Sequence, residues 1–298
     1  MKKRHGYLRK AAALATCTAA LIGLAACSEM PQETQGEGKP ALTVKVLDVG
    51  DADAICLFAE NGETMVVDTG LAATYGALAD CLREQGAEKI DKLVITHWHA
   101  DHAGGAAQLI GDFAVGEIIT ADTDKVNEER IAVMAAAEQK GVPVEYVREG
   151  DRRTFGDMEM EFLNPPADGS FAGDENNMSL VFRLTCGSRS FLFMGDAEKK
   201  ADKALAERYG SRLKTDFLKV GNHADKDAAG KAFLKAALPE VAVISGSNSG
   251  DDPDHVSEKA LERIHKHTNA RVYITQRDGD ITAICDGESI KIEQERGK

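Results

Sequence analysis

Hydrophobic and polar positions alternate along the chain after residue 40 in a pattern typical of short strands mixed with helices. Short apolar runs and apolar residues at every second position predict strands, and apolar residues at helical spacing predict helices. The predicted strands are LTVKVLDV (42–49), DAICLFAE (53–60), ETMVVDTG (63–70), KLVIT (92–96), MEMEFLNPP (158–166), MSLVFRLTCGSRSFLFMGD (178–196, a hairpin), DFLKV (216–220), VAVIS (241–245), RVYIT (271–275) and DITAIC (280–285). The predicted helices cover 74–86, 126–139, 197–208, 228–237 and 256–267.

The order of these elements favours two β-sheets with helices on their outer faces. Strands come first and then alternate with helices, and a similar order occurs in both halves of the chain. Because each sheet must bury an apolar face, two sheets packed face to face with helices outside satisfy this order. We therefore predict a single α/β domain over residues 41–298 with four layers, αββα. Catalytic groups in such a layout are expected on loops at one edge of the sheets.

The first 40 residues predict export and attachment to a membrane. A basic start, MKKRHGYLRK, precedes an uncharged stretch (11–26) that is short for a bilayer span and fits a signal peptide. It ends in LAAC (24–27), which resembles the lipobox of bacterial lipoproteins. The resemblance implies a signal peptide over residues 1–26, a lipid on Cys27 and attachment to the extracytoplasmic side of the cell membrane. Residues 27–40 are polar and predict a flexible tether, while an uncleaved anchor and an ordinary signal peptide are the alternatives.

Net charge sets a limit on the partners of the chain. The formal charge is −13, and removal of residues 1–26, which carry five Lys or Arg and no acid, would leave −18. A surface this acidic repels polyanions, whereas DNA binding normally depends on neutralisation of phosphates by Lys and Arg. The composition therefore argues against a strong grip on long DNA.

The four cysteines beyond residue 40 show no spacing that is typical of a metal site. Cys56, Cys186 and Cys285 lie in apolar strand-like segments, where a buried free thiol is the expected state, and Cys81 lies in a predicted helix. An exported protein could also form disulfides, and the sequence alone does not pair these residues.

The segment THWHADHAGG (96–105) carries the strongest chemical signal in the chain. His97 and His99 follow a predicted strand, and side chains two positions apart on a strand point the same way. Asp101 and His102 lie on the turn into the next helix and are expected to face a second point close by. Imidazole nitrogens and carboxylate oxygens are ligands that suit zinc and related cations. The segment therefore predicts part of a site for two metal ions.

This H-x-H-x-D-H pattern, with GDAE (195–198) further along, resembles the metallo-β-lactamase superfamily. VLDVGDADAICL, MVVDTG, ENNMSLVFRL, DFLKVGNHAD and AVISGSNSGDDPDH fall in the order found in the extracytoplasmic hydrolase domain of ComEC-type competence proteins. The resemblance covers nearly all of residues 42–290, while the membrane channel of those proteins is absent. It implies the metallo-β-lactamase fold and a metal-dependent hydrolase of phosphodiester bonds in nucleic acid or nucleotides.

The resemblance also implies a set of metal ligands. His97 and His99 would hold one divalent ion, Asp101 and His102 the other, and Asp196 would bridge both. Asp101 and Asp196 are then the expected catalytic carboxylates, and Asp101 could also orient the attacking water. Zinc is the expected metal, with manganese as the alternative. Asp68 is a candidate partner that holds a ligating histidine.

Two segments depart from the fuller ligand pattern of the superfamily. Where many members carry a further histidine, DENNMSL (174–180) offers Asn177 and Ser179. Where the relatives have KV-x-HHGS, this chain has KVGNHAD, so Asn222 replaces the first histidine and His223 remains as the expected last ligand. His255 is a candidate substitute for a further histidine of the relatives that is Asp252 here.

Three functions remain open on these observations. The first is a lipid-anchored phosphodiesterase that acts on DNA, oligonucleotides or nucleotides. The second keeps the metal chemistry but cleaves another bond, in a lactone, a thioester or a β-lactam, because a fold does not fix its substrate. The third is a surface lipoprotein that binds metal and has lost catalysis, a hypothesis supported mainly by the altered GNHAD segment.

Overall fold

The structure, a computed structural model, describes residues 40–246 and 256–297. The predicted signal peptide, the tether through residue 39, the lipidation site Cys27 and the candidate His255 lie outside the described residues. What the sequence predicts for them stays a prediction.

Fifteen described strands form two sheets. The first sheet has eight strands in the order β15-β14-β1-β2-β3-β4-β5-β6, and the second has seven in the order β13-β12-β11-β10-β9-β8-β7. The strands are β1 (Leu42–Val46), β2 (Ala54–Ala59), β3 (Thr64–Thr69), β4 (Lys89–Ile95), β5 (Ala114–Ala121), β6 (Val144–Val147), β7 (Arg152–Phe155), β8 (Met158–Asn164), β9 (Val181–Cys186), β10 (Arg189–Phe193), β11 (Phe217–Lys219), β12 (Val241–Ile244), β13 (Arg271–Ile274), β14 (Ile281–Cys285) and β15 (Ile290–Gln294).

Helices connect many of these strands. The described α-helices are α1 (Tyr75–Glu84), α2 (Ala100–Ala103), α3 (Ala106–Asp112), α4 (Glu128–Lys140), α5 (Lys199–Tyr209), α6 (Lys231–Ala237), α7 (Glu258–His267) and α8 (Thr275–Asp278). Two short 3₁₀ helices cover Gly210–Leu213 and Asn222–Ala224.

Three hydrophobic clusters confirm the predicted αββα layers. One cluster joins inward-facing residues of both sheets, including Val44, Phe182 and Phe193. A second lies between the first sheet and helices α1 to α4, and a third lies between the second sheet and helices α5 to α7. Since each sheet buries one face against the other sheet and the opposite face against helices, most strands are buried on both sides.

The predicted elements are largely present, but four described strands (β5, β6, β7 and β15) were not predicted. The first three strands are antiparallel, as predicted. β5 was not predicted because Gly116 interrupts its apolar pattern. Only glycine fits at this position, because a Cβ there would lie 2.6 Å from the carbonyl oxygen of Asp91. β15 escaped because it is an edge strand whose residues alternate between half-buried and exposed. The predicted strand 42–49 ends earlier, at Val46.

The cysteines of the described residues lie in two of the hydrophobic clusters. Cys56, Cys81, Cys186 and Cys285 are all buried and carry free thiols, so the predicted burial is confirmed. The neighbouring Cys81 thiol and burial raise the pKa of the Cys56 thiol, and the Cys285 thiol and burial likewise raise the pKa of the Cys186 thiol. Neither pair lies among the metal-ligand candidates.

Candidate metal centre

The candidate site lies where loops from both sheets meet at the carboxyl ends of their strands. β3 and β4 run parallel, and so do β10 and β11, so the loops that follow them emerge at one edge of each sheet. The segments concerned are the end of β3 and residues 96–102, 194–198 and 220–225. An open cavity of about 750 Å³ lies over them, within the range of small-molecule binding sites.

The first group of ligand candidates, here called the outer cluster, consists of His97, His99 and Asp196. Nε2 of His97 lies 3.0 Å from Nδ1 of His99 and 3.6 Å from Oδ2 of Asp196. Two nitrogens bound to one tetrahedral zinc, each at about 2.0–2.1 Å, would be separated by about 3.3 Å, so the observed spacing suits a shared cation. The side chain of His99 is 42% exposed and forms the open wall of this cluster.

The second group, here called the inner cluster, consists of Asp101, His102, Asp196 and His223, whose ligand atoms all lie within 4.8 Å of one another. Nε2 of His102 is 3.2 Å from Oδ1 of Asp196, and Nε2 of His223 is 3.2 Å from Oδ2 of Asp101. Asp196 thus presents Oδ2 to the outer cluster and Oδ1 to the inner one. This is the arrangement of a carboxylate between two cation sites.

The other ring nitrogen of each buried histidine is held by the protein. Nδ1–H of His102 donates to Oδ2 of Asp68 at 2.8 Å, and Nδ1–H of His223 donates to the backbone oxygen of Ser245 at 2.9 Å. Nδ1 of His97 lies 3.2 Å from the hydroxyl oxygen of Thr96, which itself donates to Asp68. These bonds fix the tautomer, so the free lone pair of all three rings is on Nε2 and faces the clusters.

Electrostatics at the clusters favour positive charge. Burial alone would raise the pKa of Asp196, but His102 and His223 outweigh it and hold that pKa far below its usual range. Burial would likewise raise the pKa of Asp101, but hydrogen bonds with His102 and His223 hold that pKa far below its usual range. Burial alone would lower the pKa of His223, yet Asp196 and Asp101 raise it to about 9. Without a metal, protons on His102 and His223 balance the carboxylates, and a cation would take their place.

The donor set fits a pair of divalent cations. Nε2 of His102 and Oδ1 of Asp196 are fully buried and lack a hydrogen-bond partner anywhere in the described part of the chain. Polar atoms this deeply buried normally have a partner, so their shared direction into the inner cluster fits the binding of a cation. Imidazole and carboxylate donors suit zinc and its neighbours, and the set does not select among these metals.

The altered GNHAD segment keeps one histidine in the inner cluster. His223 lies in the inner cluster as a ligand candidate, whereas Nδ2 of Asn222 donates to Oε1 of Glu198 at 3.0 Å. Asn222, His223 and Ala224 all have positive φ angles, of 43°, 46° and 60°. Three consecutive residues other than glycine in this conformation are strained, and such strain is commonly retained at functional sites. His223 is therefore the residue of this segment that joins the inner cluster, and Asn222 belongs to neither cluster.

Asn177 and Ser179, the candidates from DENNMSL, hold the loop that carries Asp196. The hydroxyl oxygen of Ser179 accepts a hydrogen bond from the backbone N–H of Asp196 at 3.0 Å. Oδ1 of Asn177 accepts from the backbone N–H of Ala201 at 3.0 Å and of Glu198 at 3.3 Å. Both side chains are therefore engaged with the backbone of this loop and its following helix.

A close backbone approach joins the two sheets beside the clusters. Gly195 precedes Asp196 and has a φ of 49°. A Cβ at this position would lie 2.8 Å from Cβ of Thr96 and 2.9 Å from Cβ of Ser179. Only glycine fits, so Asp196 lies directly against the loop that carries His97.

Sequence reasoning missed three buried charged residues near the clusters. Nζ of Lys219 lies 2.8 Å from Oδ2 of Asp53, and both side chains are buried next to His223. Glu175 contacts the outer cluster through His99, where Oε2 lies 3.2 Å from Nε2. Asp53 and Lys219 belong to segments that matched the family pattern, but their burial became evident only once the two sheets were packed together.

The αββα fold and the two clusters define a class of protein with a candidate two-metal centre at the edge of its sheets. The family model of the metallo-β-lactamase superfamily matches residues 51–247, and the chain belongs to this superfamily. The resemblance inferred from the motifs is thereby confirmed.

The chain is also similar to competence and recombination proteins. It is 28% identical over 255 residues to ComE operon protein 3 of Bacillus subtilis (strain 168), a match covering 80% of this chain and 32% of that protein. It is 28% identical over 267 residues to Recombination protein 2 of Haemophilus influenzae, covering 87% of this chain and 31% of that protein. Competence protein ComA of Neisseria gonorrhoeae matches at 27% over 249 residues, with coverages of 83% and 33%. The chain thus spans about a third of the length of these relatives.

Solved structures share the fold at lower identity. YhfI of Bacillus subtilis, a metallo-β-lactamase fold protein, aligns with a TM-score of 0.54 and 18% identity over 78% of this chain and 95% of that one. CmlA, a diiron β-hydroxylase from Streptomyces venezuelae, aligns with a TM-score of 0.56 and 14% identity over 82% of this chain and 54% of that one. These similarities establish the fold.

Proposed function

We propose that this protein is a metal-dependent hydrolase of phosphodiester bonds. The observation that supports the proposal best is Asp196, whose two oxygens face two clusters of histidines and carboxylates. When bound at such a site, two divalent cations polarise a phosphoryl oxygen and lower the pKa of water from 15.7 to about 7. The bond class rests on the similarity to proteins named for competence and recombination.

The residues of the chain itself would orient the reactants. Asp101 lines the cavity, its side chain is 29% exposed, and its Oδ2 also faces both histidines of the inner cluster. Because its pKa is far below the usual range, Asp101 stays ionised and can accept a hydrogen bond from water and so orient it. The buried histidines stay in place because their Nδ1 atoms are hydrogen-bonded to Asp68, Thr96 and Ser245.

The charge of the cavity makes substrate binding depend on cations. Its lining includes Asp51, Asp225 and Asp227 besides the ligand candidates, and only Lys226 adds a lysine among its lining residues. A phosphodiester is an anion, so it would be repelled from these carboxylates unless bound cations reversed the local charge. With a net charge of −13, the protein as a whole also disfavours long DNA, and short oligonucleotides or nucleotides are the proposed substrates.

Hydrolysis of a generic phosphodiester tests the activity. The full chain, purified in mild detergent, would be incubated with bis(p-nitrophenyl) phosphate in the presence of Zn²⁺ or Mn²⁺. His99→Ala should lose most of the rate, whereas His265→Ala, which removes an exposed histidine on α7, should retain it. Equal rates for the wild type and His99→Ala would remove the proposed activity.

Substrate length is tested by competition between a dinucleotide and long duplex DNA. The dinucleotide should be cleaved faster at low salt, because the acidic surface repels the polyanion. Raising ionic strength from about 0.01 M to about 0.1 M shortens the screening length roughly threefold. The cleavage rates of the dinucleotide and of long DNA should then become more similar. Faster cleavage of long DNA at low salt would contradict the proposed preference.

We further propose that a lipid on Cys27 attaches the protein to the extracytoplasmic side of the membrane. The support is the LAAC sequence and the basic and apolar segments that precede it. Among the residues that the structure describes, no helix is long and apolar enough to cross a bilayer. In bacterial cells, Cys27→Ala should abolish labelling by radioactive palmitate and release the protein from the membrane fraction. Labelling that persists in this variant would overturn the proposal.

A further inference from the structure

His99 differs from the other three histidines in the direction of its ring. His97, His102 and His223 turn Nε2 toward the clusters and Nδ1 toward a protein acceptor. In His99 it is Nδ1 that lies 3.0 Å from Nε2 of His97, so its Nε2 points the other way. A metal bound by His97 and His99 would therefore use Nε2 of the first and Nδ1 of the second.

The outward nitrogen of His99 meets a buried carboxylate. Oε2 of Glu175 lies 3.2 Å from Nε2 of His99, and the Glu175 side chain is only 9% exposed. Both carboxylate oxygens of Glu175 are buried without a hydrogen-bond partner of good geometry in the described part of the chain. Nζ of Lys125 lies 3.2 Å from the same oxygen, but the Lys125 side chain is 53% exposed. A largely buried carboxylate with unused acceptor capacity is costly, so its position beside His99 calls for an explanation.

We propose that Glu175 is the positioning residue of the outer cluster: it accepts a hydrogen bond from Nε2–H of His99 and so directs Nδ1 of that ring to the metal. This inference rests on the proposed function, because it assumes that His97, His99 and Asp196 hold a cation. Glu175 itself is not a ligand, since it belongs to neither cluster of converging donor atoms. A histidine that binds a metal commonly donates its other ring N–H to a carboxylate, which fixes the tautomer and raises the basicity of the ligating nitrogen.

His99 needs such a partner more than the other histidines do. Its ring is 42% exposed, whereas the side chains of His97, His102 and His223 are 6% exposed or less. Close packing holds the buried rings even without hydrogen bonds, but a half-exposed ring on a loop would rotate between several orientations. Glu175 is the residue that restricts this rotation, because the Lys125 ammonium beside it is a donor and cannot accept the Nε2–H proton.

The tautomer of His99 gives the most direct test. The full chain would be labelled with nitrogen-15 histidine, loaded with Zn²⁺, and compared with Glu175→Ala by two-bond nitrogen–proton NMR, with His99→Gln to assign the ring. In the wild type, Nδ1 of His99 should be metal-bound and Nε2 should carry a proton protected from exchange. In Glu175→Ala that proton should be lost to rapid exchange with water. A metal on Nε2 of His99, or an unchanged Nε2–H signal in the variant, would overturn the inference.

Metal binding provides the second test and separates the inference from the proposed function. Titration of the metal-free full chain with Zn²⁺ should show two sites, and Glu175→Ala should weaken one of them by about 10–100-fold. Glu145→Gln is the matched control, because it removes a carboxylate that pairs with Arg153 far from the clusters. If the wild type binds no zinc, the proposed function fails. If the wild type binds two ions and Glu175→Ala binds both equally well, only the positioning role fails.

A merely structural role for Glu175 would give a different result. Loss of a structural contact would lower the unfolding temperature of the metal-free protein and weaken both sites together. The positioning role predicts a selective loss at the site that contains His99, with the metal-free unfolding temperature unchanged. Lys125→Ala should leave both affinities near those of the wild type, since the Lys125 ammonium is a donor and cannot accept the Nε2–H proton of His99. A loss in Lys125→Ala equal to that in Glu175→Ala would also contradict the proposal.

Discussion

The outer and inner clusters share Asp196 but differ in how firmly the protein holds their other members. In the inner cluster, His102 is fully buried and bonded to Asp68, and His223 is buried and bonded to the backbone of Ser245. In the outer cluster, His99 is half-exposed and depends on one carboxylate from a neighbouring loop. A cation should therefore be bound more tightly in the inner cluster, because its ligands need less ordering upon binding.

Removing the shared residue should have the largest effect, because it breaks both clusters together. Asp196→Ala deletes the carboxylate that faces both histidine groups, so we expect loss of both metal sites. Phosphodiester hydrolysis should fall by at least about 10³-fold, the scale seen when one electrostatic stabiliser is removed from an active site. Elemental analysis and rate measurements check this result, with exposed Asp157→Asn as the control. A variant that still holds two metal ions would contradict the shared role.

Asp202 is a buried carboxylate outside both clusters, so it shows how burial changes the pKa of a carboxylate that has no histidine partner in them. Burial raises the pKa of Asp202 to about 7, even though the backbone N–H of Gly230 donates to it. The folded state therefore binds this proton more tightly than the unfolded state, whose pKa is near 3.8. Stability attributable to this group should fall as pH rises from about 4 to about 7, and stay low above that range.

Asp202→Asn should remove this pH dependence. Relative to the wild type, the variant should gain free energy of unfolding as pH rises from about 4 to about 7, by a few kcal/mol at most, since each pKa unit corresponds to about 1.4 kcal/mol. Urea unfolding at a series of pH values measures this difference. The exposed Asp157→Asn should show no such trend, and a flat difference for Asp202→Asn would mean that its carboxyl is not neutral in the folded protein.

Asp68→Asn should weaken the inner cluster selectively. Oδ2 of Asp68 accepts hydrogen bonds from His102 and from the Thr96 hydroxyl, and an amide NH₂ in that place would present a donor to two donors. We expect about a 10–100-fold loss of affinity at the inner site, the usual consequence of losing a partner of a ligating histidine. Thr96→Ser, which keeps the hydroxyl, should bind zinc like the wild type. Equal weakening of both sites in zinc titrations would remove the distinction between the clusters.

Leu238→Gly measures how much a positive φ angle like those of Asn222 and His223 lowers the free energy of unfolding. Leu238 ends α6 with a φ of 40°, close to the angles of Asn222 and His223, but it is 48% exposed and lies outside both clusters. Glycine adopts this conformation freely, so the variant should be more stable by about 0.5–1 kcal/mol. Leu238→Ala keeps the strain and should show no gain in urea unfolding. A loss of stability in Leu238→Gly would show that packing of the leucine outweighs the strain.

The fold and four of the six ligand candidates could be predicted because their signals are local in the sequence. Strands buried on both faces are continuous apolar runs, and His97, His99, Asp101 and His102 lie within six positions of one another. Asp196 and His223 required the resemblance to a family, since a single aspartate or histidine after a strand has no distinctive pattern.

The remaining residues could not be predicted, because their roles arise only from packing. Glu175 lies in a polar loop, and only the folded chain places its carboxylate beside His99. Asp53 and Lys219 are far apart in sequence, and their buried pair forms only when the two sheets meet. The hydrogen bond that Asn222 donates likewise depends on Glu198, a residue of another loop.

The glycine before the bridging aspartate has a consequence for how this protein can change. Gly195 leaves no space for even a methyl group between the two loops that flank it, so any substitution would push the sheets apart at their shared edge. The position of Asp196 relative to the loop that carries His97 is thus set by the contact of Gly195 with Thr96 and Ser179, while the loops around the opening can vary independently. Substitutions in the loops at the rim of the cavity can therefore change which substrate is bound. A substitution at Gly195, by contrast, would displace the ligand candidates beneath the rim.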